Sequence, residues 1–299
     1  MIDLKYHIVS IVAVFLALGM GILIGSSIVS DKVAVVQQQK IIDSLETQFS
    51  SLREHESELL AEDVKKSKMI NNYENFAQGM LAPVVTGKLK GRNVAVVVSG
   101  TQAIPSGLLN TLKYAGANVN SQIMVLKNIN MKDSALRQKL IDYYALDNNT
   151  TSDILRQKVA ESIALLVNNK ADPALSVFLN ENKLIKISYV NNNPVDTVIL
   201  VGGSDTLDQS FPEGLDSNLI KTLLTDGIQV IGLESSKVKF SYMKYYQKFS
   251  ISTIDNVDMS LGQISLVLAL SGQPGNYGIK TTATSFMPAL PLELQGGLK

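Results

Sequence analysis

Small and acidic residues follow the apolar runs in the second half of the chain, and they are the residues with the most obvious chemical potential. They are Ser99, Gly100, Gly202, Gly203, Asp205 and Asp255. Glycine and serine turns can point backbone N–H groups at an anion. Carboxylates are ligands for hard cations. These six residues are therefore the candidate ligand site.

Known sequence motifs do not identify which ligand these six residues would bind. Neither GxGxxG nor GxxxxGK[ST] is present, so the chain lacks a nucleotide signature. Gly202 and Gly203 also fit an ordinary tight turn between a strand and a helix. Asp205, Asp255 and their neighbours Asp208 and Asp258 fit either a cation site or solvated turns. Both interpretations stay open at this point.

Composition excludes several kinds of site. The chain has no Cys, and its two histidines, His7 and His55, both precede the globular region. This excludes thiolate chemistry, and it excludes a Ser-His-Asp triad or a histidine zinc site within that region. Basic and acidic residues balance at 27 each, which argues against a nucleic-acid partner. We therefore predict a protein that is not an enzyme and has no bound cofactor.

The elements that position the candidate residues alternate between strands and helices. Runs at 93–98, 119–126, 197–201, 228–233 and 250–254 read as strands. Segments at 105–115, 134–146, 151–167, 173–180, 215–225 and 261–270 read as helices. This alternation predicts an α/β domain over 81–278 with a mainly parallel sheet flanked by helices. Ligands bind at the carboxyl edge of such sheets, where the six residues fall. Residues 279–299 are predicted to be a disordered tail.

The N-terminal region predicts a membrane anchor. Residues 8–29 carry no charge and reach roughly 33 Å as a helix, enough to cross a bilayer. The apolar core is too long for a cleaved signal peptide, and it lacks a small-x-small cleavage site. We predict a cytoplasmic stub and anchor over 1–30. The rest of the chain is placed outside the cytoplasm on a weak charge bias.

A heptad pattern abcdefg follows the anchor. Its a positions are Val35, Ile42, Phe49, Glu56, Asp63, Ile70 and Ala77, and its d positions are Gln38, Leu45, Leu52, Leu59, Lys66, Tyr73 and Met80. Residues 31–80 predict a coiled coil, and a break is expected at Leu81-Ala82-Pro83 because Pro cannot continue a helix. Small residues at spacing four in the anchor predict close helix packing in lipid. The predicted homodimer interface is Ala13, Ala17, Gly21, Gly25, Val35, Ile42, Leu45, Phe49, Leu52 and Leu59. The alternative is a lone amphipathic helix that folds back on its own domain.

Two terminal blocks carry a family resemblance. Residues 1–10 (MIDLKYHIVS) and 13–26 (AVFLALGMGILIGS), with 252–258 (STIDNVD) and 275–278 (GNYG), resemble the MctB family of copper-transport proteins. The resemblance implies a membrane protein of copper homeostasis or transport, with copper as the transported species. It carries over no metal ligands, because these blocks contain no Cys and only His7.

Three functions are therefore open. The first is a non-catalytic, membrane-anchored homodimer of the copper-transport family. The second is an envelope scaffold that binds a membrane or envelope protein partner and controls peptidoglycan hydrolysis in cell separation, as actinobacterial relatives of the family suggest. The third is an extracytoplasmic domain that binds a small molecule at the six candidate residues.

Overall fold

The computed structural model of the chain describes residues 4–100, 103–191, 193–208 and 210–290. The chain divides into two compact units, Met1–Asn71 and Asn72–Lys299. The first unit is helical throughout its described part and belongs to helix α1, Leu4–Val85. Among the described residues, the stretch Leu4–Ser26 is long and apolar enough to cross a membrane. This agrees with the predicted anchor.

Helix α1 continues past the point where a break was predicted. It runs through Pro83 and ends at Val85. A proline removes one backbone donor and crowds the carbonyl four residues earlier. Pro83 lies in the last turn, where few residues follow it, and Thr86 N–H still donates to the Ala82 carbonyl at 3.0 Å. The predicted break at 81–83 was therefore wrong by about one turn.

The second unit contains a seven-stranded sheet. The strands are β1 (Asn93–Val98), β2 (Asn118–Val125), β3 (Ile185–Val190), β4 (Thr197–Val201), β5 (Gln229–Leu233), β6 (Ser252–Ile254) and β7 (Asn276–Tyr277). Their order is β3-β2-β1-β4-β5-β6-β7. All neighbours are parallel except β2 and β3. The strand order reverses between β1 and β4, which makes this the topological switch point of a doubly wound sheet.

Helices cover both faces of this sheet. They are α2 (Leu108–Ala115), α3 (Ser134–Tyr143), α4 (Ser152–Val167), α5 (Pro173–Glu181), α6 (Ser217–Thr225), α7 (Met243–Tyr246) and α8 (Ser260–Leu270). Side chains alternate across β1. Val94 and Val96 face a core formed with α2 and α8, and Ala95 and Val97 face the larger core formed with α3 to α7. The predicted α/β layer fold is confirmed.

The last turns of α1 belong to the α/β unit. Ala77 is buried, and the helix end packs with α2 and α8. The Ser260 N–H donates to Glu74 Oε1 at 2.7 Å, and Ser260 Oγ donates to Gln78 Oε1 at 3.3 Å. The final heptad positions, Ala77 and Met80, therefore pack against their own domain and are not available to a second chain.

Glu74 supplies the missing cap of α8, because Met259 offers no side-chain cap to that helix. We expect Glu74→Ala to loosen the first turn of α8 by about 1 kcal/mol, a roughly fivefold faster amide exchange. Hydrogen exchange of the full-length protein, read by mass spectrometry, measures this. Glu58→Ala, an exposed position on the same helix, is the control. Equal exchange at Ser260 in both variants would contradict the capping role.

The folded chain extends past the predicted end of the domain at 278. Ile279 and Lys280 donate their N–H groups to the Asp255 carboxylate at 2.7 and 3.0 Å. Lys280 Nζ lies 2.7 Å from Glu234 Oε1. These bonds fix Ile279 and Lys280 against the residues that follow β5 and β6. The rest of the predicted tail, 291–299, lies outside the described residues.

Candidate functional site

The six candidate residues all lie at the carboxyl edge of the sheet, as predicted, but they do not form one site. Ser99 and Gly100 follow β1, and Gly202 and Gly203 follow β4, so these four meet at the switch point. Asp255 follows β6 and binds the backbone of the 279–280 turn. Asp205 is exposed in the loop after β4.

The two turns at the switch point are in contact. A Cβ atom added to Gly100 would lie 2.5 Å from the Gly203 carbonyl oxygen. Gly100 also has φ +79°, a conformation that glycine adopts at no steric cost. In a ligand-binding sheet of this topology a crevice opens here. In this protein the backbone itself closes the space between Gly100 and Gly203.

Below these turns lies a buried polar network formed by Ser99, Asp216 and Tyr246. Ser99 Oγ donates to Asp216 Oδ1 at 2.6 Å, and the Tyr246 hydroxyl donates to Asp216 Oδ2 at 2.6 Å. All three side chains are inaccessible to solvent. The network ties the end of β1 to the start of α6 and to α7. Both carboxylate oxygens of Asp216 are thus occupied by hydrogen bonds within the protein.

Burial controls the ionisation of Asp216. Loss of solvent raises its pKa from 3.8 to about 7, and the hydrogen bonds from Ser99 and Tyr246 lower it by less than burial raises it. Burial and the nearby Asp216 charge also raise the pKa of Tyr246 well above 10. Burial thus favours the neutral acid, whereas the two donated hydrogen bonds favour the carboxylate, and the Tyr246 phenol stays neutral. Such a shifted carboxyl group can mark an active site, but both oxygens of this one accept hydrogen bonds from Ser99 and Tyr246.

Two glycines make room for the tyrosine of the network. A Cβ atom on Gly202 would collide with the Tyr246 hydroxyl, and one on Gly232 would lie 2.5 Å from Tyr246 Cδ2. Tyr242 packs edge-to-face on Tyr246, with ring centroids 6.3 Å apart. The Tyr246 ring therefore fills the space beside Gly202 and Gly232.

Glu234, at the end of β5, is also satisfied by the protein. Its carboxylate accepts from Ser241 Oγ at 2.6 Å and from Tyr242 N–H at 2.9 Å, and it pairs with Lys280. It is fully buried. A carboxylate with three partners and no exposure can fix loops in place. It is poorly placed to act on a substrate.

The four aspartates proposed for a hard cation do not converge. Asp258 accepts from Ser236 N–H and Oγ at 2.6 and 2.8 Å, and Asp208 accepts from Ser210 N–H at 2.9 Å. Asp255 holds the 279–280 turn. Within the part of the chain that the structure describes, no group of three or more His, Cys, Asp or Glu could hold a metal ion.

Sequence reasoning missed Asp216 and Tyr246. Asp216 lies in a π-helical turn, Ser210–Asp216, that precedes α6, so the rule that selects residues directly after strands does not reach it. Its partners are 117 and 30 residues away along the chain. Only the tertiary structure brings these groups together, and no local sequence motif identifies Asp216 or Tyr246 as members of a buried network.

A second candidate surface lies along α1. In the first unit we define the seam as Val35, Ile42, Leu45, Phe49, Leu52 and Leu59. Each of these side chains is 46–66% exposed. The small-residue ladder of Ala13, Ala17, Gly21 and Gly25 is also exposed on the apolar helix. A row of exposed large apolar side chains marks an interaction surface in a protein of ordinary composition. The predicted dimer interface is thus uncovered in the single chain.

Together these features define a class of protein. Its described residues contain one apolar membrane-type helix, which continues into a long helix with an exposed seam, and a doubly wound α/β domain whose turns at the switch point are in contact. The chain belongs to the MctB family, described as "Copper transport outer membrane protein, MctB", which it matches over residues 1–288. It is 28% identical to the copper transporter MctB of Mycobacterium tuberculosis, over 93% of this chain and 96% of that protein. The Mycobacterium bovis copper transporter MctB matches equally well.

Proposed function

We propose that this chain is a non-catalytic protein of copper transport, anchored in the cell membrane by one helix and active as a homodimer. The observation that carries the proposal is the exposed seam on α1, from Val35 to Leu59. The copper assignment rests on the family and on the mycobacterial relatives named copper transporters. In this proposal the anchor holds the protein in the membrane, the seam forms the homodimer, and the α/β domain contacts a partner.

The filled sheet edge supports a non-catalytic role. A reaction needs a bound substrate and groups free to exchange protons or electrons with it. Here the carboxylate oxygens of Asp216 and Glu234 accept hydrogen bonds from protein groups, and Gly100 lies against Gly203. We infer that the domain acts through its outer surface, by contact with a membrane or envelope protein on the extracytoplasmic side.

The seam supports a parallel homodimer. Pairing two copies would remove both rows of apolar side chains from water, and each large side chain so buried contributes roughly 1.5–3 kcal/mol. A leucine at d and an apolar residue at a favour coiled-coil pairing. The small-residue ladder of the anchor would let the two membrane helices approach closely. Both segments then serve the same assembly.

The dimer is tested by disulfide trapping, which is simple here because the chain has no Cys. Full-length Leu45→Cys protein in nanodiscs should form a disulfide-linked dimer under mild oxidation, since two d positions face each other. Thr47→Cys, at the outward f position two residues later, is the matched control and should stay uncrosslinked. Equal crosslinking at both positions would mean random collision and not a defined seam.

Breaking the seam should break the assembly. Replacing Leu45, Phe49 and Leu52 together with Gln should convert the detergent-solubilised full-length protein from a dimer to a monomer by light scattering. The same replacement at Thr47, Glu54 and Ala61, which lie on the opposite face, should leave the dimer intact. An unchanged mass in the seam variant would contradict the proposed homodimer.

The copper role is tested in cells. Cells that lack the protein should show altered copper content and copper sensitivity, and the seam variant should fail to restore either. Wild-type protein and the variant with the opposite face replaced should restore both. Normal copper content in the deletion would contradict the copper role, and unseparated cells in the same strain would favour the envelope scaffold that controls peptidoglycan hydrolysis.

A further inference from the structure

The His55 ring contacts the backbone of its own helix. Its Nδ1 atom lies 3.2 Å from the Ser51 carbonyl oxygen, one helical turn earlier. When Nδ1–H donates to that carbonyl, the lone pair is on Nε2, which points away from the backbone. Metal-binding histidines commonly use this arrangement, in which the second nitrogen is fixed by a hydrogen bond. The side chain is exposed in the single chain.

Glu56 is next to His55 and lies at a core position of the seam. In the heptad frame His55 is at g and Glu56 is at a. In a parallel two-stranded coil, an a side chain packs against the a side chain and the preceding g side chain of the other helix. Pairing two copies would therefore bring two Glu56 carboxylates and two His55 imidazoles into one layer. Leu52 and Leu59 at d would form the apolar layers on either side.

This layer is unfavourable without a cation. Two carboxylates would face each other between layers of leucine, where water is scarce. Among the described residues, neither His55 nor Glu56 takes part in an ion pair. The nearby Lys66 is engaged with Glu62 at 3.0 Å. Arg53 lies one turn before Glu56, but no ion pair joins the two among the described residues.

We propose that two copies of this chain bind one divalent transition-metal ion between their His55 and Glu56 side chains. The proposal rests on the homodimer of the proposed function. Imidazole and carboxylate together suit Cu²⁺ and Zn²⁺, and Cu²⁺ binds most tightly to such ligand sets. One chain supplies only two of the four ligands. The site is complete only in the dimer.

The experiment uses full-length protein in detergent micelles, with His7→Gln in every sample so that His55 is the remaining histidine. Cu²⁺ is titrated and followed by electron paramagnetic resonance. We expect one bound Cu²⁺ per two chains, with nitrogen coupling in the spectrum. His55→Gln should abolish this signal, and Glu56→Gln should weaken binding at least tenfold. Glu54→Gln, on the outward face, should bind as the parent does.

Light scattering on the metal-free samples separates the possible failures. A dimeric protein whose Cu²⁺ binding is absent, is unchanged by His55→Gln, or has one ion per chain overturns the metal site and leaves the homodimer standing. A monomeric mass overturns the homodimer and the site together. A dimer with half-stoichiometric binding that depends on His55 and Glu56 supports both.

Discussion

Asp216→Asn should make the α/β domain more stable at pH 8 than the natural protein. Asp216 has a folded-state pKa of about 7 against 3.8 without burial. Because the folded state holds this proton more tightly, its contribution to stability is fully present below about pH 4 and is lost as the pH rises through 7. The loss is about 1.4 kcal/mol per pH unit, about 4 kcal/mol in all. Asparagine is neutral at every pH and avoids this cost.

Urea denaturation of the full-length protein at pH 5 and pH 8, followed by circular dichroism, measures the effect. The natural protein should lose about 2.6 kcal/mol of unfolding free energy between the two conditions from this group, and the Asn variant should lose much less. The exposed residue Glu181 in the same domain provides the control, Glu181→Gln, which should keep the natural pH dependence. The same pH dependence in the Asn variant and the natural protein would show that Asp216 does not ionise within the fold in this range.

Gly232→Ala should destabilise the same domain, by about 3 kcal/mol at the upper end of overpacking effects. The added Cβ would lie 2.5 Å from Tyr246 Cδ2. The ring cannot easily retreat, because its hydroxyl is bonded to Asp216 and Gly202 lies against it. Denaturant midpoints at constant pH measure the loss.

Two further variants make this result specific. Gly79→Ala, in helix α1 with open space around the new methyl group, should raise stability by up to about 1 kcal/mol. Combining Gly232→Ala with Tyr246→Leu should cost less than the two single changes added together, because the smaller side chain removes the collision. Additive losses would show that Gly232 is constrained by something other than the tyrosine ring.

The sequence predicted what depends on local pattern. The apolar runs at 93–98 and 197–201 coincide with the buried strands β1 and β4. Strand β3, Ile185–Val190, was missed because it follows α5 closely and pairs antiparallel at the sheet edge. Strand β7 has only two residues, too few for any periodicity to show. Pattern identifies elements well when they are long and fully buried.

The candidate site depends on features that sequence pattern does not predict. The strand-end rule placed Ser99 and Gly202 correctly at the sheet edge, but it could not tell an open crevice from a filled one. That difference depends on Asp216 and Tyr246, which approach only after the domain has folded. The seam is the reverse case: its heptads are readable in the sequence, and the pairing that we propose for it needs a second chain.

The filled crevice also offers a means of external control. Tyr246 is a large, fully buried side chain with a polar tip anchored on Asp216. Trimming it to a small residue would leave a cavity with an apolar wall and one hydrogen-bonding group at its end, the shape of a phenol molecule. Engineered apolar cavities of this size take up aromatic molecules from solution. The stability of the α/β domain in this variant would then rise with the concentration of the added small molecule. The amount of folded protein in a living cell could be adjusted in this way.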